Sequence, residues 1–183
     1  MTRLILVRHA ESAPSDDIPE PQWPLSARGV VQARELVARL SPFAPAAIYS
    51  SPYPRAVATV QPLAEQLRLT IHTHQDLRER KLAEPPVGKD NFLPHVERSW
   101  SDLDYCLPGG ESCRTCQTRV LAALTEICDR HSGQTIIAAS HGNAIGLILK
   151  HLDPSFGFKE WRAMRNPDVF ELSIAGSECQ WVR

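Results

Sequence analysis

Apolar residues in this chain come in short blocks separated by polar and proline-rich stretches, and the blocks follow two different periods. Residues 3–7 form a nearly continuous apolar run that stops at Arg8-His9, the pattern of a strand buried on both faces of a parallel sheet. A Pro-rich acidic loop over 14–24 follows. Ser26 then caps a helix whose apolar positions Val30, Ala33, Val37 and Leu40 fall on one side. A second strand at 46–49 runs into Ser50-Ser51-Pro52 and a helix carrying Arg55, Ala56, Val60, Leu63 and Leu67. Pro62 inside that helix removes a backbone bond and predicts a kink or an early end. A third strand fits 69–74. Between 76 and 110 the regular pattern lapses into a charged, proline-broken excursion with isolated apolar residues such as Phe92 and Trp100, long enough for a helix of its own and a lid-like role. Regularity returns with a helix over 112–130 and a strand over 135–139. Ser140-His141-Gly142-Asn143 then opens a helix over 144–152. The end reads as an edge hairpin, with strands at 169–174 and 179–182 around a turn containing Gly176. Alternating strands and helices predict one α/β domain over 1–183, a three-layer α/β/α arrangement with a mostly parallel central sheet.

Composition narrows the function classes. With 183 residues, 43% of them hydrophobic, the chain can bury the core of one ordinary domain. A formal charge of −1 without long runs of like charge excludes the electrostatic footprint of a nucleic-acid binder. Only four apolar residues, 4–7, precede Arg8, too few for a signal-peptide core, and no stretch is long enough to span a membrane. Five cysteines, an odd number, argue against a disulfide framework and for a reducing compartment, so a cytoplasmic location is expected.

The unusual polar groups lie where strands stop. Arg8-His9 follows the first strand, Arg55 comes shortly after the second, and His141 follows the later one. Ligands of open α/β sheets bind outside the carboxyl ends of strands, so these residues can converge although they are far apart in sequence. Two arginines and two histidines in one crevice suit a phosphoryl group. Arginine's planar fork grips two phosphate oxygens and keeps its charge at any working pH. Cations beside His9 disfavour its protonation, leaving a neutral imidazole as a nucleophile toward phosphorus.

The heptapeptide LVRHAES at 6–12 resembles the signature around the nucleophilic histidine of the histidine phosphatase, or phosphoglycerate mutase-like, superfamily. Four further stretches resemble that family in order: PLSARGVVQA at 24–33, SSPYPRAVAT at 50–59, PGGES at 108–112 and SHGNAIG at 140–146. The resemblance implies a phosphoglycerate mutase-like fold, with His9 as the transiently phosphorylated nucleophile and Arg8, Arg55 and His141 as catalytic residues that also bind the phosphate. It places the proton donor, an acidic residue after the third strand, at Glu79, where the neighbouring phosphate dianion favours the protonated acid. It implies no metal and no cofactor, and a phosphorylated small molecule or protein as partner and substrate. Departures weigh against mutase activity. Ala10 for the glycine common in the family's RHG is a mild change, but Ser15 lies near where the mutase and sugar-phosphatase branches place Trp-Asn, and Lys81-Leu82-Ala83 lacks the mutases' His-Tyr-Gly continuation.

Other candidates have plainer readings. Cys113-x-x-Cys116 opens an amphipathic helix and lacks a second pair for zinc. His72-x-His74 reads as a half-exposed strand face. Arg78, Arg80, Lys81, Lys89 and Arg98 read as a solvated charged loop, the functional alternative being a basic lid. Three functions compete: phosphomonoester hydrolysis through phosphohistidine, isomerisation in which His9 returns the phosphoryl group to the substrate, and a non-catalytic phosphate-binding module.

Overall fold

A computed structural model describes residues 1–175 and 178–182; the expected turn at Gly176 lies outside them. Six strands form one sheet in the order β3-β2-β4-β1-β5-β6, from β1 (Thr2–Arg8), β2 (Ala47–Ser50), β3 (Ile71–Thr73), β4 (Thr135–Ser140), β5 (Asp168–Ala175) and β6 (Glu178–Val182). The first four in that order are parallel, and β5 and β6 add antiparallel partners.

Helices cover both faces, which explains why β1 and β4 are apolar at successive positions. On one face Ile5, Val7, Ile48, Ile137 and Ala139 pack against α1 (Ala27–Leu40) and α2 (Pro54–Leu67). On the other, Leu4, Leu6, Ile136 and Ala138 meet a core built with α4 (Cys113–Arg130) and α5 (Gly142–Leu152), joined by Val96 and Trp100 of α3 (Lys89–Ser101) and Trp161 of α6 (Phe158–Ala163). This is the three-layer α/β/α sandwich, with the sheet mostly parallel.

Several details depart from the pattern. Ser26 does cap α1, accepting from the Gly29 amide at 2.9 Å, but the buried face is Gly29, Ala33, Leu36 and Leu40 while Val30 is exposed. The second helix does not end early at Pro62: it runs on to Leu67. Pro62 deprives the Ala58 carbonyl of its partner, but both residues are only half-buried, so water can serve that oxygen, and Val60, Leu63 and Ala64 keep the helix on the sheet. The third strand is shorter than expected. Within the excursion, α3 is docked: Trp100 is buried and its indole N–H donates to Asn143 at 3.3 Å, although Phe92 is exposed. Arg80 is not part of a solvated loop. It is 5% exposed, and its guanidinium donates to the Glu111 carbonyl at 3.1 Å and the Ser99 hydroxyl at 3.0 Å. Cys113 and Cys116 face the core, and burial pushes the Cys116 thiol well up. Among the described residues no helix is long and apolar enough to cross a membrane.

Candidate active site

Three adjacent parallel strands set the site. β4 lies between β2 and β1, and Arg8 is level with Ser140 across the β1–β4 pair, so the residues after these strands emerge side by side. His9 and His141 meet edge to face with ring centroids 5.2 Å apart, and Arg55 opens α2 beyond β2.

The backbone around His9 is pinned on every side. Its amide donates to the Ser140 carbonyl at 3.0 Å, and its carbonyl accepts from the Asn166 side chain at 2.8 Å. The next amide, of Ala10, donates to the Thr59 hydroxyl at 2.9 Å. The ring itself has one commitment: Nδ1 lies 2.7 Å from the Ala10 carbonyl. A carbonyl can only accept, so Nδ1 carries the proton and Nε2 presents its lone pair. Burial, then the charges of Arg55 and Arg8, outweigh that hydrogen bond and lower the His9 pKa to about 3. The imidazole is therefore neutral at ordinary pH.

Two arginines bring fixed charge to the site. Arg8 donates to the Met164 carbonyl at 2.8 Å, while its Nε is buried without a protein partner. A Cβ on Gly142 would come within 3.2 Å of the Arg8 guanidinium, so glycine there lets the head of α5 close on the arginine. Arg55 is 2% exposed and is gripped by Glu20, whose carbonyl accepts from Nη1 at 2.7 Å and whose carboxylate pairs with Nη2. Burial pushes the Glu20 carboxyl up against the pull of Arg55, with Glu79 adding to the rise.

His141 is fully buried at the N-terminus of α5. Its Nε2 shares a 2.7 Å hydrogen bond with Ser51, and burial, then His9 and Arg55, hold its pKa well below the ordinary histidine value. Glu79, on irregular chain beyond β3, reaches the same helix end. Oε2 accepts from the Asn143 amide at 3.0 Å, and Oε1 from the amides of Ala144 at 3.1 Å and Arg80 at 2.8 Å. The first amides of a helix lack internal partners, so the head of α5 holds the Glu79 carboxyl group in position.

The fold thus brings Arg8, His9, Arg55, His141 and Glu79 to one end of the sheet. Sequence reasoning missed Glu20, Ser51 and Thr59. The last two lie inside the quoted SSPYPRAVAT stretch, whereas nothing marks Glu20 among the other acids of its loop. No cluster of three or more His, Cys, Asp or Glu gathers to hold a metal among the described residues.

The chain is 27% identical over 184 residues to the uncharacterised phosphatase PhoE of Bacillus subtilis (strain 168), covering 99% of this chain and 92% of the relative. It is 32% identical over 157 residues to phosphoserine phosphatase 1 of Hydrogenobacter thermophilus, covering 77% and 71%. The solved structure of Bacillus stearothermophilus YhfR matches with a TM-score of 0.84 at 23% identity, covering 100% of this chain and 96% of that one. The family model for branch 1 of the histidine phosphatase superfamily matches residues 4–183. The chain therefore belongs to this superfamily, a membership that implies phosphomonoester hydrolase or mutase chemistry.

Proposed function

We propose that this protein is a metal-independent phosphatase that hydrolyses phosphomonoesters through a phosphohistidine at His9. The observation that carries the reading is the state of the His9 ring: neutral, with Nδ1–H held by the Ala10 carbonyl and the Nε2 lone pair free beside two arginines and His141. In the first step Nε2 attacks phosphorus and the P–O ester bond breaks. Arg8 and Arg55 balance the charge on the equatorial oxygens, and Ser51 holds the neutral His141 ring as a further phosphate contact. Glu79 delivers a proton to the departing oxygen. Oε2, with one amide partner where Oε1 has two, is the oxygen better placed to carry it. In the second step the Glu79 carboxylate takes a proton from water, the resulting hydroxide bonds to phosphorus, and the P–N bond breaks to release phosphate and His9. The substrate class is a phosphorylated small molecule or protein side chain.

Rapid quenching with labelled ester should leave an acid-labile, base-stable adduct at His9, with inorganic phosphate rather than an isomerised ester as the final product. His9→Ala should abolish both. Glu79→Gln should slow the single-turnover phosphorylation of His9 by alkyl phosphates about 10²–10⁴-fold, and by aryl phosphates with acidic phenols much less. Full turnover in His9→Ala would end the covalent reading; equal losses for the two ester types would end the assignment of Glu79.

A further inference from the structure

The geometry points to Arg119 and Glu111 as positioning residues that hold Glu79 in place to act as proton donor, an inference that rests on the proposed role of Glu79. The segment carrying Glu79 belongs to no helix or strand between Leu77 and the start of α3, so no ladder fixes it. Its carbonyls are nevertheless taken in succession. Arg119 Nη1 donates to the Asp76 carbonyl at 2.7 Å and the Arg78 carbonyl at 3.0 Å, and Nη2 donates to that of Glu79 itself at 3.3 Å. Ser140 takes the Leu77 carbonyl at 2.7 Å, and the Glu111 amide takes that of Lys81 at 2.8 Å.

Arg119 can do this because it is itself fixed. It projects from α4 between Cys116 and Val120, both fully buried, and its side chain is 11% exposed. Glu111, 12% exposed, binds it through both oxygens, at 2.6 Å to Nε and 2.7 Å to Nη2. The Glu111 carbonyl in turn accepts from Arg80, the residue after Glu79. Glu111 is the acid of the PGGES stretch, whose role the phosphate pocket leaves unexplained. The pair therefore fixes the main chain at Glu79 from α4, while the head of α5 fixes its carboxylate. Neither residue hydrogen-bonds His9, Arg8 or Arg55; the charge of Arg119 reaches His141 but is kept in Arg119→Lys, and the contacts that the variant loses are those to the chain at Glu79.

Arg119→Lys keeps the charge opposite Glu111 but loses the fork that spans the carbonyls. It should slow phosphorylation of His9 by an alkyl phosphate about 10–100-fold, the scale expected when a catalytic group is misplaced by about an ångström, and slow the aryl reaction only slightly. Inorganic phosphate should bind as in the native enzyme. Added to Glu79→Gln, Arg119→Lys should cost the alkyl reaction nothing further, because the group it positions is already gone. Glu111→Gln, which keeps the size and the backbone contacts, should follow the same pattern more weakly. Equal alkyl and aryl losses in Arg119→Lys, or additive losses in the double variant, would overturn the positioning role while leaving Glu79 as donor. Equal alkyl and aryl losses in Glu79→Gln alone would instead overturn the donor assignment and the positioning role with it. Failure of both clamp variants to fold would assign the pair to stability alone.

Discussion

Acidification tests the burial of His9 quantitatively. The residue is 8% exposed, and burial, helped by Arg55 and Arg8, carries its pKa from the ordinary 6.5 down to about 3. In the unfolded chain the ring returns to its ordinary value. Between the two values the unfolded state binds a proton that the folded state refuses. Stability therefore rises with pH through this window and is lost as pH falls below about 6.5, levelling off only near pH 3. At pH 4 the unfolded imidazole is protonated by about 2.5 pH units and the folded one hardly at all. At about 1.4 kcal/mol per unit, His9 alone then costs about 3 kcal/mol relative to pH 7. His141, shifted in the same direction, adds a loss of the same sign. The assay is urea unfolding at pH 7, 6, 5 and 4 in phosphate-free buffer, for the native protein and His9→Gln. Carboxylates elsewhere titrate alike in both and cancel in the difference, so the variant should lose about 3 kcal/mol less over this range. The His9 ring resonances of the folded protein should also stay still between pH 7.5 and 4.5. Parallel stability curves, or a His9 midpoint near 6.5, would refute the buried neutral imidazole and with it the basis for free Nε2 as nucleophile.

Two further outcomes follow from the site and the core. Phosphate bound at Arg55 as proposed has to displace or share the Glu20 carboxylate, so Glu20→Gln should tighten inorganic phosphate binding about fivefold, roughly the worth of a partly exposed ion pair, by calorimetric titration; unchanged or weaker binding would show that Glu20 does not compete for the arginine. Leu6, fully buried on the sheet face under α4 and α5, should cost about 3 kcal/mol of unfolding free energy when replaced by alanine, and a loss below about 1 kcal/mol in urea unfolding would mean that this face is not close-packed.

The legible parts of the chain are those where burial acts on consecutive residues. β1 and β4 are covered on both faces, so they read as apolar runs, and the polar groups at their ends stand out. Helix faces are less legible. Gly29 lies on the buried face of α1 because a Cβ there would sit 2.0 Å from the Glu11 carbonyl oxygen, and a residue chosen for having no side chain leaves no mark in a hydrophobic pattern. The six residues of α6 are too few to show a period, although Trp161 reaches the core. Arg80 is hidden from the sequence pattern for a different reason. Its burial depends on Ser99 and Glu111, distant in sequence, and a charge satisfied by remote partners looks the same in sequence as one satisfied by water.

The same distinction separates the proposed phosphate-binding groups from what surrounds them. The main chain of Arg8, His9 and His141 is held at paired strand ends, with Ser140 level with Arg8, and Arg55 follows β2 closely, so their places follow once the strands pair, while the guanidinium groups of Arg8 and Arg55 rest on the Met164 carbonyl and on Glu20. Glu79 depends instead on an irregular segment, and Glu20 on the single 3-10 turn Glu20–Gln22 within its loop. The first is fixed from α4 and α5, and the second is fixed by its grip on Arg55. A phosphoryl group has the same shape in every ester, so strand ends can serve it with a short motif, whereas the leaving group differs from one substrate to the next. Groups that meet the leaving group must be adjustable without disturbing the sheet, and irregular segments held by side-chain clamps provide that freedom. Discrimination among phosphomonoesters is therefore to be sought around Glu79 and Glu20, where side chains can change while the four residues proposed to hold the phosphate keep their places.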